Sequence, residues 1–284
     1  MAKRLAGKPV VEKIAEEIGG RVASLADKGI VCGLSLLRVG ERPDDLSYER
    51  TAEKRAESLG IEVRKTVLDE GVSQAGIEAA IDEVNGDESI HGCLMFRPLP
   101  SDINEQAVCD ALATEKDIDG ISSAALAAVF MDRDFGFAPC TAAACMRVLD
   151  YYDVPLEGAH VVVVGRSLVI GKPIAMMLLR RNATVTLCHS RTKDLAAVMR
   201  AADIVVCATG RARMFKAECF SPDQVVLDVG INFDEAGKLC GDVDFDEVEP
   251  IVGAITPVPG GIGSVTTSVL MAHVVEAAER TTSA

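Results

Sequence analysis

The chain has 284 residues, a formal net charge of −14 and 25% charged side chains, with no Trp and three Tyr. That length accommodates two domains, each with its own core, and aliphatic packing has to dominate both. The negative field argues against nucleic acid as a partner, although a local basic pocket can still capture a small anion.

In chain order, the start Met-Ala-Lys-Arg-Leu-Ala-Gly-Lys-Pro runs into a helix with no apolar signal core, and no run approaches a membrane span. Val10, Ile14, Ile18, Val22 and Leu25 fall at helical spacing, and 30–39 then reads as a strand. The alternation continues with a helix over 43–59, a strand over 61–68, a helix over 73–84, a strand over 91–96 and a helix over 104–112. Residues 113–139 are weakly patterned and read as a long loop, the kind that carries function or lines an interface. A helix over 141–152 opens a second series, with strands near 160–164, 183–187, 203–207 and 225–229, and a last helix spans 264–278. The fold class is therefore α/β in two units, the second of Rossmann type.

Nine cysteines (32, 93, 109, 140, 145, 188, 207, 219 and 240) form an odd set without a Cys-x-x-Cys pair. That is a poor disulfide or zinc framework. Cys32, Cys93 and Cys207 sit in apolar strand-like runs, as free thiols do in a reducing compartment, so a cytoplasmic location is expected. His91, His160, His189 and His273 lie in unrelated segments, and no metal site is expected.

The run His160-Val-Val-Val-Val-Gly-Arg-Ser-Leu-Val-Ile-Gly-Lys-Pro173 reads as a strand buried on both faces, followed by a turn between Gly165 and Gly171 and an apolar helical run over 174–179. The unpaired N–H groups and positive end of such a helix favour phosphate, and Arg166, Ser167 and Lys172 add charge and donors. The spacing is not G-x-G-x-x-G, and an ordinary strand-turn-helix with solvated cations is the competing reading. His189 follows a strand ending near Leu187, at the carboxyl edge where Rossmann sheets bind nucleotides.

Six blocks together give the chain a resemblance to a known family: Gly7-Lys-Pro-Val10; Ser47-Tyr48; Pro98-Leu-Pro100; Lys116-Asp-Ile-Asp-Gly120; Gly165-Arg-Ser to Gly171-Lys-Pro173 with Cys188-His-Ser-Arg-Thr192; and Asp228-Val-Gly-Ile-Asn232, Gly241-Asp-Val-Asp244 and Thr256-Pro-Val-Pro-Gly-Gly-Ile-Gly263. In this order and spacing they resemble the bifunctional methylenetetrahydrofolate dehydrogenase/methenyltetrahydrofolate cyclohydrolase family. The resemblance implies a catalytic, folate-binding domain over 1–143 completed by a C-terminal helix over 268–284, a Rossmann domain over 144–267, a folate cleft between them and a homodimer. It implies Tyr48 and Asp119 as catalytic residues, with Phe96, Pro98, Leu99, Pro259, Gly260 and Gly261 also at the folate. Asp117 is a further candidate ligand, read equally well as a turn residue. For the dinucleotide it implies Gly165, Arg166, Ser167, Gly171, Lys172, Pro173, His189, Ser190, Arg191, Thr209, Gly210, Gly230, Ile231 and Thr266. Arg166 and Ser190 would meet a 2′-phosphate, which favours NADP over NAD.

The chain departs from the family pattern at Ser264-Val265, where Pro-Met is more usual, at Thr141-Ala-Ala-Ala, where Thr-Pro-x-Gly is, and at two positions that bear on the chemistry. The family signature is Tyr-x-x-x-Lys, whereas Ala52 stands four residues after Tyr48, and Lys54 is turned about 200° away around the helix. The family pattern Gly-x-x-x-Gln-x-Pro-Leu-Pro has Phe96 in place of its glutamine here.

Hydride transfer from 5,10-methylenetetrahydrofolate requires no protein base, because holding donor and acceptor in near-attack geometry is worth roughly 7–11 kcal/mol. Opening the methenyl ring with water uses acid–base help worth roughly 10²–10⁴-fold. The expectation is an NADP-dependent dehydrogenase with weak or absent cyclohydrolase activity. Its alternatives are the ordinary bifunctional enzyme, with Lys54 or Arg97 replacing the lysine, and a folate- or nucleotide-binding protein without turnover.

Overall fold

The computed structural model describes residues 2–282. The first half contains β1 (Lys3–Arg4), α1 (Gly7–Ala26), β2 (Gly33–Val39), α2 (Pro43–Ser58), β3 (Glu62–Leu68), α3 (Gln74–Gly86), β4 (Gly92–Met95), α4 (Glu105–Ala111), α5 (Ser123–Met131) and α6 (Cys140–Tyr151). The second contains β5 (His160–Val164), α7 (Gly171–Arg180), β6 (Thr184–Cys188), α8 (Leu195–Arg200), β7 (Ile204–Cys207), β8 (Val225–Asp228), β9 (Asn232–Phe233), β10 (Leu239–Cys240), α9 (Phe245–Val248), β11 (Ala254–Ile255) and α10 (Ile262–Thr281). The chain divides into two compact units, one formed by the chain up to Glu12 with Thr141–Thr266, the other by Lys13–Cys140 with the chain from Thr267 onward.

The unit containing Lys13–Cys140 is built on a parallel sheet in the order β3-β2-β4. All seven residues of β2 are buried, as expected of a central strand covered on both faces. Leu37, Ile77, Ile81, Met95, Val108 and Cys109 form its core. The helices start where side chains can satisfy orphan backbone donors. Ser73 accepts from Gly76 N–H (3.2 Å), and Asn104 from Ala107 N–H (3.3 Å). Helix α2 instead opens with Pro43 and places Asp44 and Asp45 against its positive end.

The expected loop over 113–139 contains α5. Ser122 caps it by accepting from Ala125 N–H (3.2 Å), and Asp132 ends it in the left-handed conformation. Its sequence Ser-Ala-Ala-Leu-Ala-Ala-Val-Phe-Met is apolar all round, so no 3.6-residue stripe marks it, although alanine is the best helix former.

The other unit carries a parallel sheet in the order β1-β11-β8-β7-β5-β6. The chain leaves β5 for β6 on one side and returns past it to β7 on the other, which is the Rossmann switch point. Val162, Val164, Val205, Cys207, Phe215 and Val226 lie in its core. The first residues group here and not with 13–140. Lys3 and Arg4 pair with Ala254 and Ile255, Gly7 N–H bonds Gly260 O (2.7 Å), and Tyr152 Oη donates to Ala6 O (2.8 Å). A two-residue strand that pairs with a segment 251 positions away has no periodicity of its own to read.

Candidate functional site

Within the unit of Lys13–Cys140, the Lys116–Gly120 motif is a built turn in which most members serve the backbone. Lys116 Nζ donates to Val84 O, Asn85 O and Asp87 O (2.7, 2.9 and 2.8 Å), gathering the last carbonyls of α3. Asp117 is fully buried, and its two oxygens accept from Ile121 N–H (3.0 Å) and Ser122 N–H (2.8 Å). That engagement accounts for the aspartate weighed as a further candidate ligand. Gly120 has φ +65°, and a Cβ there would stand 2.5 Å from Pro139 N, so the turn tolerates no side chain. Ile118 O accepts from Cys140 Sγ (3.2 Å) and from His273 Nδ1 (2.8 Å). Asp119 is not used by the turn itself; its carboxyl accepts from the backbone N–H and the thiol of Cys140 at the start of α6.

Tyr48 and Asp119 come together at this turn. Burial pushes the Asp119 carboxyl up to about 6; the nearby Arg97 guanidinium opposes the rise and the Asp117 charge adds to it. The Tyr48 phenol is raised well above its usual range, by burial first and then by the charge of Asp119, against a hydrogen bond with Thr267. It remains protonated near neutrality and is available as a donor. Phe96 meets the Tyr48 ring edge-on, with centroids 6.0 Å apart and planes at 78°. Ala52 is fully buried on the α2 face with Asp45, Glu49 and Ala56, whereas Lys54 is exposed. Arg97 pairs with Glu105 at 3.5 Å. Pro98 and Leu99 line a separate depression with Val39, Arg42, Glu70 and Pro100.

In the other unit, a pocket of about 420 Å³ opens at the carboxyl edge of the sheet. It is lined by the expected Gly165, Arg166, Ser167, His189, Ser190 and Thr209. Val164, Thr192, Leu195, Ala208, Arg211 and Met214 line it as well. Gly165 has φ +136°, and a Cβ there would lie 2.2 Å from Ala208 O. Gly171 does not line the pocket, and a Cβ there would lie 2.1 Å from Gly165 O, so each glycine answers a close backbone approach of its own. Ser167 Oγ accepts from Ile170 N–H (3.3 Å), and Lys172 N–H bonds Ser167 O (3.1 Å) as α7 begins. His189 Nδ1 accepts from Arg191 N–H (3.1 Å), while His189 N–H donates to Thr192 Oγ1 (2.9 Å).

Other expected nucleotide residues do not line this pocket. Lys172 is exposed and Pro173 buried within α7, Arg191 is exposed, and Gly210 follows Thr209 with φ +66°. Gly230 is buried against Asp242, Ile231 is exposed, and Thr266 donates its hydroxyl to Ile262 O (3.3 Å). Pro259, Gly260 and Gly261 belong to this same unit. They form the turn into α10, where Gly260 has φ +97° and a Cβ at Gly261 would lie 2.4 Å from Pro257 O. The missed pocket residues had weak signals: Thr192 closes the Cys188-His-Ser-Arg-Thr192 motif, and Arg211 and Met214 follow Thr209 and Gly210.

Two family models match the chain: Tetrahydrofolate dehydrogenase/cyclohydrolase, catalytic domain, over residues 5–119, and its NAD(P)-binding domain over residues 139–282. The "Bifunctional protein FolD" of Carboxydothermus hydrogenoformans is 54% identical over 281 residues, covering 98% of each chain. The crystal structure of the bifunctional dehydrogenase/cyclohydrolase of Campylobacter jejuni superposes with a TM-score of 0.96 at 36% identity, covering 99% of this chain and 100% of that one. The Trypanosoma brucei dehydrogenase-cyclohydrolase, solved with NADP and an inhibitor, gives 0.94 at 34% identity, over 100% of this chain and 99% of that one.

Proposed function

The chain belongs to the tetrahydrofolate dehydrogenase/cyclohydrolase family, and from that premise we propose that it oxidises 5,10-methylenetetrahydrofolate to the methenyl form with NADP and, like the relatives named bifunctional, also hydrolyses that product. The observation that carries the folate half is the Lys116–Gly120 turn, which commits Asp117 to backbone and leaves the Asp119 carboxyl beside Tyr48. A planar carboxylate suits the paired N–H donors of a pterin ring. Tyr48, protonated and partly buried, supplies a ring face and a hydroxyl.

The residues of the second pocket suit a dinucleotide. Arg166 and Arg211 provide charge for phosphate, Ser167 and Ser190 provide hydroxyl donors, and the pocket stands at the Rossmann switch point. NADP, when bound, supplies the carbon that accepts the hydride. The protein's part is to orient both ligands and exclude water.

For the second step, the relatives' names favour hydrolysis, and Arg97 is a cation near enough to Asp119 to bias its ionisation. We assign it the charge that the missing lysine would have carried. A second reading, dehydrogenation with little hydrolysis, is favoured by one observation: Ala52 and Phe96 are both buried and apolar where the family pattern has lysine and glutamine.

A time course separates the two. Reduced nucleotide and methenyltetrahydrofolate are followed together, with NADP and with NAD. Methenyl product that stays low while nucleotide is reduced supports the bifunctional reading, and its stoichiometric accumulation supports the second. Ligand binding without any reduced nucleotide would overturn both in favour of a binding protein.

No helix among the described residues is long and apolar enough to cross a membrane. All nine thiols are free, which supports a reducing, cytoplasmic setting. We further propose a homodimer, checked by light scattering for twice the chain mass.

A further inference from the structure

No residue of the motifs Asp228–Asn232 and Gly241–Asp244 lines the pocket, yet they contain two deeply buried carboxylates. We infer that Asp242 is a positioning residue for the nucleotide, its carboxylate holding the backbone of residues 209–211 in the shape that lines the pocket. The inference rests on the nucleotide reading of that pocket.

Five donors converge on the Asp242 carboxylate. Oδ2 accepts from Thr209 N–H, from Thr209 Oγ1 (2.9 Å) and from Gly210 N–H (3.1 Å), while Oδ1 accepts from Arg211 N–H (2.9 Å) and Asn232 Nδ2 (2.9 Å). Three successive backbone N–H groups turned toward one point form an anion nest of the kind that elsewhere receives a phosphate. Here the protein's own side chain fills it. These amides and the Thr209 hydroxyl proton are therefore committed, and of the two pocket-lining residues Thr209 and Arg211 it is Arg211 whose side chain the carboxylate does not engage.

Asp228 stands behind Asp242 and fixes it in turn. Its carboxylate accepts from Asp242 N–H (2.9 Å), Val243 N–H (3.0 Å) and Gly230 N–H (3.0 Å). The glycines of both motifs make room for the pair. A Cβ at Gly230 would lie 2.3 Å from Asp242 Oδ1, and one at Gly241 would lie 1.8 Å from Asp228 Oδ2. Fully buried acceptors whose donors come from three separate segments hold those segments in one register, and removing the charge leaves the amides at 209–211 without partners.

The test is Asp242→Asn in the full-length protein, whose amide would turn N–H groups toward N–H donors. Two readouts need no turnover: hydrogen exchange of the amides at 209–211, and NADPH binding followed by its fluorescence. We expect exchange at 209–211 to accelerate at least tenfold with β5, β7 and β8 still protected, and the Kd for NADPH to rise at least tenfold. The folate KM, at saturating nucleotide, should stay within twofold. An unchanged Kd for NADPH overturns the inference. So does a parallel loss of nucleotide affinity, folate affinity and sheet protection, which would make the role merely structural. Should D242N not fold, Asn232→Ala removes one donor alone and should weaken NADPH about threefold, with no change in Kd or exchange counting against the inference. Wild-type protein that binds no NADPH overturns the nucleotide reading itself, whereas wild-type binding matched by D242N overturns only the role of Asp242.

Discussion

The rings of Phe96 and Tyr48 meet in a T-shaped pair, with 6.0 Å between centroids and 78° between planes. Such a pair is worth about 0.5–1.5 kcal/mol beyond its burial and fixes the tyrosine without giving its hydroxyl a polar neighbour. The next turn of α2 adds nothing polar either, because Ala52 is fully buried. On the second reading, in which Ala52 and Phe96 leave hydrolysis weak, Ala52→Lys combined with Phe96→Gln should raise hydrolysis of methenyltetrahydrofolate relative to dehydrogenation by roughly 10²-fold, the lower end of what acid–base groups supply. Overfilling the Ala52 site should cost about 1–3 kcal/mol of stability. Loss of methenyl absorbance, corrected for the uncatalysed rate, measures the first effect and denaturant unfolding the second. No gain in hydrolysis would place that chemistry on other groups, Arg97 first among them.

Asp119 titrates near the working pH because burial raises its carboxyl to about 6. A carboxylate accepts two hydrogen bonds from a pterin edge, and a protonated carboxyl cannot. With Asp119 as the proposed ligand of the pterin, folate affinity should be fully present above pH 7 and fall about tenfold per unit below 6. Measured KM values for methylenetetrahydrofolate between pH 5 and 8 should show this break, while KM for NADP stays level. Asp119→Asn should flatten the profile at its low-affinity end. Arg97→Gln should move the break to higher pH, since the guanidinium is the main charge holding the carboxyl down.

Helix α2 is pinned to its sheet by an ion pair that is almost fully buried. Arg38 Nε lies 2.8 Å from Glu49 Oε2, and both side chains are under a tenth exposed. Lys65 reaches Glu49 at 3.4 Å from the neighbouring strand. Removing one partner leaves the other charge uncompensated, so Glu49→Gln should cost about 3–5 kcal/mol, seen as a lower denaturant midpoint. Arg38→Met with Glu49→Leu should recover most of that loss. Because Glu49 adjoins Tyr48, the single variant should also raise the folate KM, and the double variant should show whether packing or charge sets the helix.

How much of this molecule could be read in advance depends on the range of the interactions that shape each part. The valines of β5 and the Ile-Val-Val-Cys run of β7 declare buried strands because covering both faces demands unbroken apolar sequence. Strands β1 and β11 are two residues each and exist through their pairing, and α5 lacks a polar face to set a period. At the site, the Lys116–Gly120 motif was visible, but the division of labour within it was not. Nothing local distinguishes Asp117, satisfied by Ile121 and Ser122 N–H, from Asp119 two residues later. Cys140 and His273 meet on Ile118 O from 133 positions apart, and Asp242 reaches across 31 to 33 positions to the 209–211 loop. Such contacts follow from the path of the chain, which periodicity does not encode.

Arg166 and Ser190 line the nucleotide pocket together, with Arg211 on its wall and Arg191 exposed beside it. NADP differs from NAD by one 2′-phosphate, so a residue that meets that group should discriminate between the cofactors, while one that meets the shared pyrophosphate should not. A charge-assisted hydrogen bond contributes about 1.5–3 kcal/mol, roughly 10- to 150-fold in affinity. Arg166→Gln should therefore lower kcat/KM for NADP by 10- to 100-fold and leave the value for NAD within threefold, and Ser190→Ala should act in the same direction with a smaller effect. Initial rates with both cofactors on each variant decide the matter. An equal fall for NADP and NAD in the arginine variant would move Arg166 to the pyrophosphate, where its position directly after Gly165 at the start of the β5–α7 turn also places it within reach. Arg211 would then be the next residue to substitute, since its backbone is held by Asp242 and it lines the pocket.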